Sequence, residues 1–293
     1  MTSLRPVLLA LALVAGALTA PSPVVAASAP PDRAGRACAS ASAPYEVGTS
    51  TITVRSRGNR LRTTVAYPAT SSGAGATPVC RRSPLVVAGH GSQGDGASAA
   101  QLHYYLVQRG YVVAAPTFPS GSFDIDGFAD DVSRTITKVL RASRSDTGAL
   151  SGLVRQRGDV GYIGTSMGAI IGLALCDRGH RDARIGAVVA KAGAAMGHPL
   201  DAGGAPPVLM LNGDADATIP YDEARATYAA LKRPKGLITL AGVGHDLNTG
   251  GDPILVTASS RFLNHYLRHR KNALDGIVRA ADSSDIASLR KRW

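Results

Sequence analysis

Six short apolar runs between residues 85 and 240 constrain this chain more than any other feature. They are Leu85 to Ala88, Tyr111 to Ala115, Val160 to Ile163, Ile185 to Ala190, Val208 to Leu211 and Leu237 to Leu240. Each is rich in Val, Ile, Leu or Ala and too short for a helix, the pattern of a strand buried on both faces. Helix-like segments near 98–109, 127–142, 167–176, 222–232 and 254–269 alternate with them. In the last, Leu255, Ala258, Phe262 and Tyr266 recur at helical spacing and predict a core-facing stripe. The alternation predicts the α/β class: a mostly parallel central sheet with helices on both faces. Upstream, Thr51 to Ser56 and Leu61 to Tyr67 flank Arg57-Gly58-Asn59, a hairpin signal that would add antiparallel edge strands.

The first residues follow a different logic. One arginine, Arg5, precedes an almost wholly apolar stretch from Pro6 to Ala20, and small residues suited to cleavage follow near Ala26, Ala27 and Ala29. This is the layout of a secretory signal peptide over residues 1–26. The apolar run falls short of the ~20 residues a membrane span needs, so no transmembrane segment is expected. Residues 27–47 predict a flexible Pro/Ala/Ser-rich lead-in, 48–274 the folded domain and 275–293 a C-terminal extension. Whether residues 271–293 form an extra helix or a frayed tail is left open by the pattern.

Export bears on the three cysteines. Cys38 and Cys80 lie in loop-like surroundings near the mature N-terminus, whereas Cys176 falls in a helix-like run and reads as a buried free thiol. A Cys38–Cys80 bridge would close an interval of 42 residues (80 − 38), though the sequence leaves the other two pairings open. The net charge of +11 raises the question of nucleic acid. The basic residues are scattered, however, and the denser groups at Arg268 to Lys271 and Arg290 to Arg292 carry no interleaved aromatics. A solvated basic surface is expected, with no nucleic-acid partner.

The chemistry begins at Gly164-Thr165-Ser166-Met167-Gly168, which closes the Val160 to Ile163 run and opens the next helix-like segment. A sharp strand-to-helix turn lifts a serine hydroxyl out of the surface, and flanking glycines let the backbone pass without Cβ clashes. Ser166 is therefore the candidate nucleophile; the alternative is a tight turn without chemistry. Functional groups in such sheets cluster on loops at the carboxyl ends of strands. After Val208 to Leu211 come Asp214 and Asp216; the second lies deeper in the loop, with Pro220 behind it, and is the preferred acid. Asp214 is expected to brace the loop. After Leu237 to Leu240 comes Gly244-His245, and His245 completes the order Ser, Asp, His.

Gly89-His90-Gly91-Ser92-Gln93-Gly94 follows the first of the six runs. The N–H groups of Ser92 and Met167 are the expected donors to the oxyanion of a tetrahedral intermediate. The same glycines spell Gly-x-Gly-x-x-Gly, but Ala115-Pro116 stands where a ribose-binding acid would end the next strand, which argues against a nucleotide.

Together these residues resemble the α/β-hydrolase superfamily from about Thr51 to Leu274. The chain is most similar to secreted bacterial esterase- and lipase-like members of the dienelactone-hydrolase type, with platelet-activating-factor acetylhydrolases and cutinase-like polyesterases as cousins. The likeness rests on Val86 to Gly91, Arg109 to Pro116, the Gly-x-Ser-x-Gly turn, Asp216 to Pro220, Gly244-His245 and Arg261 to Leu267. It implies the α/β-hydrolase fold, with Ser166 as nucleophile, Asp216 as acid, His245 as base, and Ser92 and Met167 as backbone donors. Thr165 stands where many relatives have His. Dienelactone hydrolases proper use Cys as nucleophile, so Ser166 argues against that activity. The only tryptophan is Trp293, which removes the aromatic clamp of polyesterases.

The interval from Ser166 to Asp216 is 50 residues (216 − 166) and that from Asp216 to His245 is 29 (245 − 216), leaving no room for a large cap domain. An uncapped site suits short-acyl or externally presented esters. Phe118 and Tyr221, beside the strand-end loops, are the expected pocket walls. The expected protein is a secreted, extracellular or cell-wall-associated, monomeric serine ester hydrolase. It would act on a small-molecule or polymeric ester through an acyl-enzyme and use no metal or cofactor. A serine peptidase or amidase on the same fold, or a non-catalytic binding protein on a hydrolase scaffold, are the alternatives.

Overall fold

The computed structural model describes residues 38–201, 203–247 and 253–293. The expected signal peptide over residues 1–26 and residues 27–37 of the expected lead-in lie outside them. The chain opens with β1 (Glu46–Ser56) and β2 (Asn59–Ala69), a hairpin paired antiparallel from Glu46↔Ala69 to Ser56↔Asn59. Arg57 and Gly58 turn it with φ of 47° and 80°, the double left-handed geometry that suits the twist of the flanking strands. A two-residue β3 (Gly73–Ala74) pairs alongside β1.

The six apolar runs all form strands: β4 (Leu85–Gly89), β5 (Val112–Pro116), β6 (Val160–Thr165), β7 (Ile185–Lys191), β8 (Val208–Gly213) and β9 (Lys235–Leu240). These six are mutually parallel where they meet, and antiparallel pairing occurs at the flanks, between β2 and β5 and between β9 and β10 (Ala287–Arg292). The sheet order is β10-β9-β8-β7-β6-β4-β5-β2-β1-β3.

The segment expected as one helix over 98–109 is two, α1 (Gly96–Leu102) and α2 (Tyr104–Gln108), because His103 leaves helical geometry and turns its Nδ1 onto the carbonyl of Ala99. The others are α3 (Ile125–Arg144), α4 (Met167–Ala174), α5 (Tyr221–Ala230), α6 (Pro253–Arg268) and α7 (Ala273–Asp282). Alternate strand residues feed two cores. Val87, Tyr162 and Met210 pack with Phe128 of α3 and Ile171 of α4, while Val86, Ile163 and Leu211 pack with Ala100 of α1, Phe262 of α6 and Ile277 of α7. Helices therefore cover both faces. No helix among the described residues is long and apolar enough to cross a membrane.

Two boundaries differ from the sequence expectation. The described part of the lead-in is held in place: Cys38 is disulfide-bonded to Cys80, Ala39 exchanges backbone hydrogen bonds with Pro78 and Cys80, and β1 already begins at Glu46. Cys176 is a buried free thiol, its pKa pushed up to about 12 by burial. Residues 275–293 are not an appendage. α7 packs on α6, β10 pairs with β9 from Ala287↔Leu240 to Arg292↔Lys235, and the Trp293 ring lies against Gly236, where a Cβ would come within 2.4 Å of it.

Candidate active site

Ser166 sits between the end of β6 and the start of α4 with φ 56° and ψ −120°, a strained backbone for a residue bearing a Cβ. The turn exists because its neighbours lack side chains. A Cβ on Gly164 would stand 2.2 Å from the carbonyl oxygen of Gly168, and one on Gly168 would stand 2.3 Å from that of Gly89. The N–H of Ser166 donates to the Lys191 carbonyl at 2.9 Å, and its own carbonyl accepts from Ala169 and Ile170.

The loops after β8 and β9 meet this turn. His245 Nε2 is 2.9 Å from Ser166 Oγ, and His245 Nδ1 is 2.8 Å from Asp216 Oδ2. An ionised carboxylate only accepts, so Nδ1 carries the proton and Nε2 presents a lone pair to the serine hydroxyl. The other oxygen of Asp216 accepts the N–H groups of Thr218 (2.8 Å) and Ile219 (2.9 Å), so the buried carboxylate is fixed from both ends. Asp214 is different: it is exposed, and its Oδ1 accepts the Gly242 N–H at 2.7 Å, bracing the aspartate loop against the histidine loop. Gly213 makes that junction possible, since a Cβ there would fall 1.9 Å from the Val243 carbonyl oxygen.

The glycine-rich turn after β4 runs beside the serine, and a Cβ built on Gly91 would be 3.6 Å from Ser166 Cβ. Ser92 is exposed on this turn, and Met167 supplies the first N–H of α4, which a helix leaves without an internal partner. His90 holds the turn. Its Nε2 accepts the Phe118 N–H (2.9 Å), so Nδ1 carries the proton and donates to the Gly91 carbonyl (2.7 Å). Burial lowers its pKa and keeps it neutral for this double role.

The two expected pocket walls sit differently. Phe118 is 2% exposed and its ring packs between His90 and Phe128, with centroids 5.1 and 5.0 Å away. It floors a hollow of about 380 Å³ whose other walls include Ser92, Arg60 and Arg62. Tyr221 is half-buried against the core, and its hydroxyl is engaged with Thr239 Oγ1 on β9.

Several residues at the site escaped sequence reasoning. Ile170, Ala194 and Ile219 form a small apolar cluster apart from the two main cores, joined by Ile125. Ile170 lies one helical turn beyond Ser166, and Ile219 is bonded to Asp216, so the cluster borders the serine. Phe123 and Met196, on the same two segments as Ile125 and Ala194, are 65% and 55% exposed. On the opposite face of the sheet, Lys191 is buried near His103. Each is an ordinary core residue or a lone polar one in the sequence; only the meeting of four distant segments distinguishes them.

Residues 189–272 match the family model of TAP-like proteins. That stretch carries β8, the Asp216 loop, β9, His245 and α6. The match supports the α/β-hydrolase superfamily. No curated protein matches the chain. The matched segment contains Asp216 and His245, while the turn bearing Ser166 lies before it.

Proposed function

We propose that this protein is a secreted serine carboxylic-ester hydrolase. The observation that carries the reading is His245 bridging Ser166 Oγ at 2.9 Å and Asp216 Oδ2 at 2.8 Å. His245 Nε2 takes the hydroxyl proton as Ser166 Oγ attacks the acyl carbon. Asp216 holds the imidazole tautomer and stabilises the imidazolium that forms. The carbonyl electron pair moves to oxygen and is met by the N–H groups of Ser92 and Met167. When the tetrahedral intermediate collapses, the C–O bond to the alcohol breaks and His245 returns its proton to the leaving oxygen. Water, deprotonated by the same histidine, then releases the acid and restores Ser166.

The substrate is a short-acyl or exposed ester. Residues 192–201 and 203–207, between β7 and β8, contain no helix or strand and build no large cap. The apolar cluster of Ile125, Ile170, Ala194 and Ile219 offers a wall for a small acyl chain. Export through the leader fits the Cys38–Cys80 bridge, a bond suited to oxidising compartments.

Turnover of acetyl and butyryl chromogenic esters by the full chain, with and without a serine-directed phosphonate, tests the reading. Hydrolysis abolished by the phosphonate and by Ser166→Ala is expected. Turnover that ignores the phosphonate refutes the mechanism, faster cleavage of matched amides favours a peptidase, and no turnover of either favours a binding protein.

A further inference from the structure

The fold gathers arginines that the sequence scatters. Arg81 and Arg82 precede β4, Arg109 precedes β5, and Arg155 and Arg157 precede β6, three neighbouring parallel strands. Their first residues share one edge of the sheet, and Ser166 follows the last residue of β6 at the other. Arg268 ends α6 and reaches the same amino-end edge, donating to the carbonyls of Arg109 (3.0 Å) and Gly110 (2.6 Å), with Arg270 and Lys271 directly after it.

Arg268 is the centre of the group. Its guanidinium lies 3.9 Å over the Tyr111 ring, and its Nε is buried without a hydrogen-bond partner. Arg155 Nε donates to the Arg82 carbonyl (3.4 Å), and Arg81 reaches the Tyr45 hydroxyl (3.3 Å). Burial lowers the pKa of Arg268, and the like charges of Arg81, Arg155 and Arg270 act in the same direction. Among the described residues no ion pair neutralises any of these side chains. Two hollows run through the group. One of about 200 Å³ is lined by Arg155, Arg157, Arg268 and a single carboxylate, Asp159, and the other, of about 450 Å³, by Arg261, Asn264, Arg270 and Lys271.

Crowded cations without counter-ions repel one another in the folded state, and an anionic partner would remove that cost. The character of the edge narrows the partner. The exposed large apolar side chains, Leu102, Phe123, Met196 and Ile286, lie on other segments, so nothing here would insert into a lipid surface. Of the rings beneath the arginines, Tyr45 and Tyr111 are buried and Tyr105, under Arg109, is only partly exposed, so no freely exposed ring offers bases a stacking platform. Two separate cation-lined hollows, one ending at His269 and the other beginning at Arg270 along the C-terminal end of α6, suit a flexible chain better than a plane. Guanidinium groups arriving from several segments suit phosphate, whose oxygens spread over a tetrahedron and accept from several directions, better than a planar carboxylate.

We propose that this arginine-lined edge is a docking surface for a flexible linear polyanion bearing phosphate at each repeat, leaving Ser166 facing outward at the opposite edge of the sheet. Docking there holds the enzyme on a polymer without covering its site.

The test is fluorescence anisotropy of labelled long-chain polyphosphate titrated with the full chain at several salt concentrations. Four engaged cations on a flexible chain predict a log–log salt slope of about −3. Arg155→Glu, Arg157→Glu, Arg270→Glu and Lys271→Glu together should weaken binding at least about tenfold at low salt and flatten that slope. If this variant unfolds, the corresponding Gln set is measured with the same expectation of direction. Lys232→Glu, Arg233→Glu, Arg290→Glu and Arg292→Glu change the net charge equally near the start of β9, on the same edge but three strands away from β6, and should leave affinity within about threefold. Equal weakening by both sets overturns the proposal. So does polyglutamate of matched length, anionic vesicles or duplex DNA binding as tightly as polyphosphate.

Discussion

The backbone carbonyl of Lys191 accepts the N–H of Ser166 at 2.9 Å, so the strained turn that presents the proposed nucleophile is anchored on the last residue of the neighbouring strand. That anchor carries an anomalous side chain. Lys191 is 4% exposed, and no carboxylate pairs with it among the described residues. It acts on His103, fully buried, whose pKa is held well below the usual histidine value by desolvation and then by Lys191. Thr165, paired with Lys191 in register, has a buried hydroxyl without a partner. Polar groups of this kind are normally excluded from a core of valines and alanines.

Burial lowers the Lys191 pKa from 10.5 to about 8. The unfolded chain then binds more protons than the native one between these values, so stability rises with pH across that window. Below pH about 8 the ammonium is buried at full cost, on the order of 3 kcal/mol for a shift of this size. Lys191→Met should therefore raise the urea midpoint at pH 7 and abolish the rise in stability between pH 8 and 10.5. A variant less stable than the parent at pH 7 would show that the ammonium has a compensating partner.

The two aspartates of the β8 loop separate position from chemistry. Asp216→Asn keeps the shape but deprives His245 of its charge partner, and kcat/KM should fall by about 10³–10⁴. Asp214→Asn removes only a brace to Gly242 and should cost less than about tenfold. Steady-state kinetics of both variants on one ester decide the matter; the reverse order would assign the acid to Asp214.

Most of the framework was legible because the buried strands are continuous apolar runs whose pattern does not depend on distant contacts. The places of Ser166, Asp216 and His245 at strand ends were legible for the same reason, since each residue follows such a run. β10 was not: Ala287 to Arg292 is mostly polar, and it becomes a strand by pairing with the open edge of β9 and by seating Trp293 on Gly236. Phe118 was assigned to a pocket wall from its place after a strand. Its burial is decided by His90 and Phe128, from segments the local pattern does not join.

His90 was hidden inside a glycine pattern, yet it fixes the turn bearing Ser92. His90→Phe fills the space but orphans the buried N–H of Phe118, a loss of about 1–3 kcal/mol. The donor turn also loses its tie to Gly91, so kcat should drop at least about tenfold while KM changes little. A chemical denaturation curve and the split between kcat and KM test both parts. Unchanged kcat in a destabilised variant would confine His90 to packing.

The glycines around Ser166 answer to two different demands, and alanine distinguishes them. At Gly164 an added Cβ would meet the backbone of Gly168 at 2.2 Å, a contact that neither β6 nor α4 can relieve by moving a side chain. Gly164→Ala should lose several kcal/mol of stability or fail to fold, because the strand and helix must separate. At Gly91 the same Cβ would find Ser166 Cβ at 3.6 Å, an ordinary contact, and the φ there is not left-handed. Gly91→Ala should fold with stability within about 1 kcal/mol of the parent. The new methyl nevertheless stands beside Ser166 and on the turn bearing Ser92, where the proposed ester would pass, so kcat/KM should fall by about tenfold or more. Thermal melts and ester kinetics on the pair test the distinction: equal stability losses would mean that the glycine-rich turn after β4 serves the fold alone.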